Sequence, residues 1–380
     1  MKKKALLLYI SRFSGHYRAA RAIEAGFAEL TEEVEVTKIN ALGYTNPVLG
    51  KIINRAYMEV IRKRPEIWER MYDNPEVMKR TQKVREALHR FNMAKIGRLV
   101  KKYSPDAVFC TQAFPCGMMS DYKRKFLSDV PLIGVLTDHA PHSYWLNNEV
   151  DYYVAPSVET ANRLKEKGVP GERIRVYGIP VDPVFASRRD KDIALSMVGL
   201  KSGKPVVLIM GGSQGLGAVE ETVLSLVSDR KRDYQLMVVT GSNTRLLKRL
   251  QKTVIQGNAG EVKLFSYVDN VDILMDAADV IVSKPGGMTT SEALVKGLPI
   301  VIVKPIPGHE RMNTDYLLSK GVAIEVKDMG LLHAKLNELF DDRQKLKGMK
   351  DKALEIAHPE SAVDTARLLF EAQRCSTMST

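Results

Sequence analysis

Cysteine is scarce in this sequence: only Cys110, Cys116 and Cys375 occur among 380 residues, with no CxxC pair and no metal-like spacing. So odd and sparse a set excludes a disulfide scaffold and suits a reducing compartment. Long apolar runs are also missing, since none approaches the ~18 residues that cross a bilayer. The N-terminal MKKKALLLYI imitates a signal peptide, but its apolar part is only Ala5–Ile10 and no small-residue cleavage site follows. It reads as a first buried strand. A dinucleotide fingerprint is lacking too. The string after the strand Pro205–Met210 is Gly211-Gly-Ser-Gln-Gly-Leu-Gly217, out of register with GxGxxG, and no acid clearly ends the next strand, Gln235–Val239. Asp190-Lys-Asp192 sits in a charged linker, so no metal site is expected.

What is present is a soluble globular composition, 44% hydrophobic and 27% charged, in a chain long enough for two domains. The net charge of +12 is uneven: residues 48–103 hold 15 Lys and Arg against 6 Asp and Glu, hence +9 of the total. Such a block seeks anions, whether phosphates, nucleic acid or lipid headgroups. No RNP-like, zinc-finger or helix-turn-helix signature accompanies it, so nucleic acid is not the expected partner. Apolar positions in the block repeat at three and four, on a helix from Asn46-Pro47 and a longer one from Glu76. The block reads either as packed helices with solvated basic faces or as a membrane-contacting insertion, with Arg62, Lys63 and Arg64 facing headgroups and Trp68 entering the interface. The concentration of charge together with Trp68 favours the second.

Both halves alternate short strands with helices. The first opens Ala5–Ile10, a turn Ser11-Arg-Phe-Ser-Gly-His16, a helix, and the strand Val34–Ile39, which together make a βαβ unit. Strands at Ala107–Cys110, Leu132–Leu136, Tyr152–Ala155 and Ile174–Val176 follow. Ligands bind at the carboxyl ends of such strands, which places His16, Asp138 and His142 at the mouth of a site. Tyr177–Pro183 is a stiff connection and the best domain boundary. The second half restarts at Pro205–Met210, and Val262–Phe265, Val280–Val282 and Ile300–Val303 complete its parallel set. Around the last two lies Ser283–Asn313, which contains Pro285-Gly-Gly287, then Thr289, Thr290, Ser291 and Glu292. A glycine loop feeding a helix N-terminus seats phosphate. A second polar loop, Pro305–Asn313, carries His309, Glu310 and Asn313 and suggests a nucleotide-sugar pocket.

The motifs Lys284-Pro-Gly-Gly287 with Thr289 and Glu292, Pro305-Ile-Pro-Gly-His-Glu310, Gly211-Gly-Ser-Gln-Gly215, Thr137-Asp138 with His142 and Trp145, and Gly15-His16 span most of the chain. In them the sequence resembles glycosyltransferase family 28, nearest to the processive diacylglycerol glucosyltransferases and monogalactosyldiacylglycerol synthases. The resemblance implies an α/β chain of the GT-B fold, two Rossmann-like domains whose parallel sheets face an interdomain cleft. Residues 1–180 would bind the lipid acceptor, with the basic insertion at about 46–103. Residues 181–360 would bind the UDP-sugar, and 361–380 would form a helix returning toward the first domain, and a tail.

It further implies that Gly286, Gly287 and Thr289 hold the diphosphate beside Lys284, that Glu292 accepts from the ribose, and that Gly212, Ser213 and Gln214 close over the nucleotide. Phe265 and Val268 would hold the uracil. Glu310, with His309 and Asn313, would face the hexose, and His142 and Trp145 would lie on the acceptor side. His16 resembles the family's base, with Asp138 orienting it or sharing the role. Transfer would invert the anomeric centre without metal or other cofactor. The sequence departs from its relatives in lacking an extra glycine before Gly15 and in carrying His309 where Gln is usual.

The expected function is hexose transfer from UDP-glucose or UDP-galactose to diacylglycerol at the cytosolic membrane face, by an enzyme peripheral on the inner surface. A polyprenyl-linked acceptor, a UDP-sugar epimerase on the same fold and a silent nucleotide-sugar sensor are the alternatives.

Overall fold

Continuous apolar runs become covered parallel strands in both halves of the chain. The computed structural model describes residues 2–12, 14–47, 91–215, 217–228, 233–256 and 261–377. Arg62, Lys63, Arg64 and Trp68 lie outside these residues. The chain divides into two compact units, one of Met1–Pro183, Glu360–Thr380 and the three residues Pro307–His309, the other of Val184–Ile306 and Glu310–Pro359.

The first unit is built on six strands: β1 (Lys3–Tyr9), β2 (Val34–Asn40), β3 (Ala107–Cys110), β4 (Leu132–Val135), β5 (Tyr152–Ala155) and β6 (Ile174–Val176). They form one sheet in the order β2-β1-β3-β4-β5-β6, every pair parallel. Side chains alternate along β1 with period two, so each face of the sheet meets its own layer of helices. Leu6 and Leu8 pack with Ile96 and Leu99 of a helix at 91–103 and with Met118 and Met119 of the helix Ala113–Phe126. Ala5, Leu7 and Tyr9 point the other way, toward Ile23 and Phe27 of the helix Gly15–Leu30 and Ala366 and Leu369 of the terminal helix Ser361–Thr377. Those two helices touch closely at Gly26, where a Cβ would stand 2.5 Å from the Ala362 carbonyl oxygen.

The second unit has β7 (Val206–Met210), β8 (Gln235–Val239), β9 (Val262–Phe265), β10 (Val280–Ser283), β11 (Ile300–Val303) and β12 (Ala323–Val326), in the order β12-β11-β10-β7-β8-β9. All are again parallel, which is the doubly wound Rossmann arrangement. The edge strand β12 is additional to the strands read from sequence. Asp190 caps the helix Lys191–Val198, accepting from the Asp192 and Ile193 N–H groups at 2.9 and 3.3 Å, while Lys191 pairs with Asp279 at 2.6 Å.

A doubly wound sheet opens a crevice where neighbouring strands send their helices to opposite faces. In the first unit that point lies between β1 and β3, above which sit the turn before His16 and Thr111. In the second it lies between β7 and β10, followed by Gly211–Gly217 and by Lys284–Gly287.

Candidate active site

In the first unit, β1 delivers the chain into a tight turn at Ser11, whose φ of 63° is left-handed. That costs a non-glycine residue on the order of 1 kcal/mol. Ser14 offsets it: its hydroxyl lies 2.8 and 2.7 Å from the Ile10 and Ser11 carbonyl oxygens, and its oxygen accepts from the Tyr17 N–H as the helix cap. The Ser14 side chain thus ties the end of β1 to the start of the helix. His16 follows as the second helical residue.

Two threonines then fix His16. Thr111, just past β3, donates its hydroxyl to the His16 carbonyl at 2.9 Å. The Thr137 hydroxyl, beyond β4, lies 3.1 Å from His16 Nδ1. Half-burial of the imidazole pushes its pKa below the ordinary value, and the Asp138 carboxylate pushes in the opposite direction. The structure therefore brings His16 and Asp138 into electrostatic contact, and it adds Thr111, together with a contact to Thr137, which sequence reading gives only as part of a motif.

His142 and Trp145 differ in burial. His142 is half-buried, its ring 5.7 Å from Tyr144 and 6.2 Å from Trp145. Trp145, expected to reach an acceptor or a membrane, is instead 4% exposed and packed in the core with Met119, Leu136 and Tyr153. The loop after β4 folds into a short 3-10 turn, Ser143–Trp145, which drives the indole inward. The Tyr153 hydroxyl locks it there by donating to the Trp145 carbonyl at 2.7 Å.

In the second unit the glycine loops after β7 and β8 interlock. A Cβ on Gly215 would stand 2.1 Å from the Thr240 carbonyl oxygen and one on Gly241 2.5 Å from that of Ser213. The Ser242 N–H donates to Ser213 at 2.9 Å. Gly212, Ser213 and Gln214 are half-buried at this crossing. Thr240 also donates to the Phe265 carbonyl at 3.0 Å through both its N–H and its hydroxyl, which fixes the end of β9 at Phe265, ahead of Val268.

After β10, Gly286 is the cap of the helix Gly287–Val295. No side chain caps that end, so the first-turn N–H groups point outward with the positive end of the helix dipole. The two threonines divide: the Thr290 hydroxyl turns back to the carbonyls of Gly286 and Gly287 at 3.1 Å, while Thr289 is half-buried on the open side. Glu292 is 1% exposed, on the inner side of the helix.

Pro305–Asn313 is not a loop throughout, because a helix begins at His309 and runs to Ser319. Glu310 and Asn313, one turn apart near its start, therefore face inward, both buried. Glu310 forms an ion pair with Lys284 and accepts the Ile306 N–H at 2.7 Å. The Asn313 amide donates to the Pro285 carbonyl at 2.9 Å. The helix and the Lys284–Gly287 loop are thereby fastened together at two points one turn apart.

Comparison with known proteins accords with this arrangement. Residues 16–181 match the monogalactosyldiacylglycerol (MGDG) synthase family, and residues 206–365 match the glycosyltransferase family 28 C-terminal domain. A processive diacylglycerol beta-glucosyltransferase of Bacillus cereus (strain 03BB102) is 31% identical over 366 residues, 95% of this chain and 92% of the relative. The chain belongs to glycosyltransferase family 28, with the diacylglycerol glucosyltransferases. The similarly named protein of Bacillus cytotoxicus is 29% identical, covering 98% of this chain and 95% of that one. Among solved structures, Acinetobacter baumannii MurG aligns with a TM-score of 0.63 at 16% identity, covering 97% of this chain and 99% of that one. Anabaena Alr3699/HepE in complex with UDP-glucose aligns at 0.58 and 16% identity, covering 99% of each. These likenesses show the fold, GT-B, with two Rossmann-like units.

Proposed function

We propose that this protein is an inverting glycosyltransferase that moves a hexose from a UDP-sugar to the hydroxyl of diacylglycerol, giving a β-glycosyl diacylglycerol. The observation that carries the reading is the nearly full-length similarity to processive diacylglycerol β-glucosyltransferases. Glucose is accordingly the expected hexose. Two glycine loops at one switch point support the nucleotide-sugar part independently of any relative.

The chemistry follows from the groups present. His16 takes the proton of the acceptor hydroxyl through Nε2 as that oxygen attacks the anomeric carbon. The bond from that carbon to the diphosphate oxygen breaks on the opposite face, so configuration inverts and UDP leaves. Its developing charge meets the N–H groups at Gly286 and Gly287 and the Thr289 hydroxyl, in place of a cation. Because the imidazole pKa is lowered, the base stays neutral at physiological pH. Asp138 stabilises the imidazolium once the proton has moved.

The acceptor is a membrane lipid and the donor a soluble nucleotide sugar, so the protein works from the cytosolic face of a membrane. The basic segment 48–103 supports attachment to an anionic surface. No helix among the described residues is long and apolar enough to cross a membrane. The test is incubation with labelled UDP-glucose or UDP-galactose, with and without diacylglycerol micelles. Label in the lipid extract only when diacylglycerol is present is the expected result. Release of a free epimerised sugar nucleotide overturns the reading.

A further inference from the structure

Lys284 and Glu310 form an ion pair at the edge of the phosphate seat, and its surroundings differ on the two sides. Glu310 is 0% exposed and its other carboxylate oxygen is held by the Ile306 N–H. Lys284 keeps 17% side-chain exposure. Its stem and head run beside two glycines: a Cβ on Gly217 would lie 3.4 Å from Lys284 Cδ, and one on Gly286 would lie 3.8 Å from Lys284 Nζ. Where those Cβ atoms are missing, the ammonium has room to move over Gly286, the cap of the helix Gly287–Val295. The Asn313–Pro285 hydrogen bond holds the backbone frame on its own, so the ion pair can open without releasing the loop.

We propose that this ion pair is exchanged when the donor binds: the Lys284 ammonium leaves Glu310 for the diphosphate, and the freed carboxylate oxygen accepts a hexose hydroxyl. The inference rests on the donor reading above. A diphosphate carries more negative charge than a carboxylate and attracts a lysine within reach more strongly. A buried carboxylate deprived of its cation is costly unless it receives a hydrogen bond. UDP-hexose satisfies both requirements at once. UDP alone draws the lysine away and leaves one Glu310 oxygen without a partner, the Ile306 N–H holding only the other. The pair therefore makes donor affinity depend on the sugar and weakens the hold on UDP after transfer, which favours product release.

Titration calorimetry with UDP and with UDP-glucose, on the wild-type chain and on Glu310→Gln, tests the exchange. With Lys284 no longer held, UDP binding by Glu310→Gln is expected to tighten by about tenfold, the scale of one charge-assisted hydrogen bond. The preference for UDP-glucose over UDP should shrink accordingly. Weakening of both ligands in equal proportion overturns the proposal and makes the pair a fixed strut. A crystal structure of the wild-type chain with UDP-glucose decides without any variant. Lys284 Nζ on a phosphate oxygen and Glu310 on a hexose hydroxyl support the exchange, and an intact ion pair beside bound donor overturns it alone. Failure to bind either ligand overturns the donor reading together with it.

Discussion

His16 Nδ1 and the Thr137 hydroxyl lie 3.1 Å apart, which occupies one ring nitrogen and leaves Nε2 for chemistry. A hydroxyl can donate or accept here, and the proposed base role requires the lone pair on Nε2 and hence donation by Nδ1–H to Thr137. The threonine is thus the partner that orients the ring, while Asp138 acts through its charge. Thr137 is 6% exposed, and a substitution there needs to preserve volume.

Replacing Thr137 by Val keeps the shape and removes the acceptor. Turnover is expected to fall by about tenfold to a hundredfold, the usual worth of a positioned proton transfer, with KM for the donor nearly unchanged. Thr137→Ser should restore most of the loss. Nitrogen NMR of the ring should show the proton on Nδ1 in the wild type and a shift toward Nε2 in Thr137→Val. An unchanged tautomer would reduce Thr137 to a packing residue.

Asp138 raises the His16 pKa against the larger lowering by burial, so its removal has a definite sign. In Asp138→Asn the imidazole loses a neighbouring negative charge and holds its proton less well. The acidic limb of kcat/KM is expected below the ordinary imidazole value in the wild type and at still lower pH in the variant, while kcat falls because the imidazolium is less stabilised. The measurement is a pH profile of both proteins from about pH 5 to pH 8, a range bracketing the ordinary imidazole pKa. A limb that stays in place or moves up would exclude the charge contact.

Much of this arrangement was legible from residue pattern because buried parallel strands are unmixed apolar runs closed by glycine, proline or polar turns. Ala107–Cys110 and Tyr152–Ala155 are seen at the limits expected. The same logic put His16 at a strand's carboxyl end and the phosphate seat at a glycine loop. The helix His309–Ser319 was not legible because its buried positions are Glu310, Asn313, Thr314 and Leu317. Their spacing is helical, but polar residues stand where apolar ones would signal a helix. β12 escaped because it is a short edge strand with a charge inside it, Glu325, which pairs with Arg311 at 2.8 Å. The link from Thr137 to His16 needs the order β1-β3-β4, which no local pattern encodes.

Trp145 lies in the core rather than on an exposed surface, which makes its role testable. Since it is 4% exposed in the first unit's core, Trp145→Ala should cost about 3–5 kcal/mol of stability through cavity formation. Trp145→Phe should lower the melting temperature by less and leave KM for diacylglycerol near the wild-type value. A large rise in that KM with unchanged melting would restore the indole to the acceptor side.

The interlock of the glycine loops gives a further test, confined to the second unit. Gly215 has φ +57°, and a Cβ there would meet backbone, the Thr240 carbonyl oxygen at 2.1 Å, which no rotamer change can relieve. Gly215→Ala must therefore separate the loop after β7 from the loop after β8. Left-handed backbone and overpacking each cost about 1–3 kcal/mol, so the melting temperature should drop. Gly212 has φ +68° but nothing within 4 Å of its Cβ position, so Gly212→Ala carries the backbone cost without the clash. UDP binding should weaken far more in Gly215→Ala than in Gly212→Ala, measured by calorimetry at a temperature where both are folded. Equal losses would mean that conformation at the glycines, rather than contact between the loops, shapes the nucleotide side of the site.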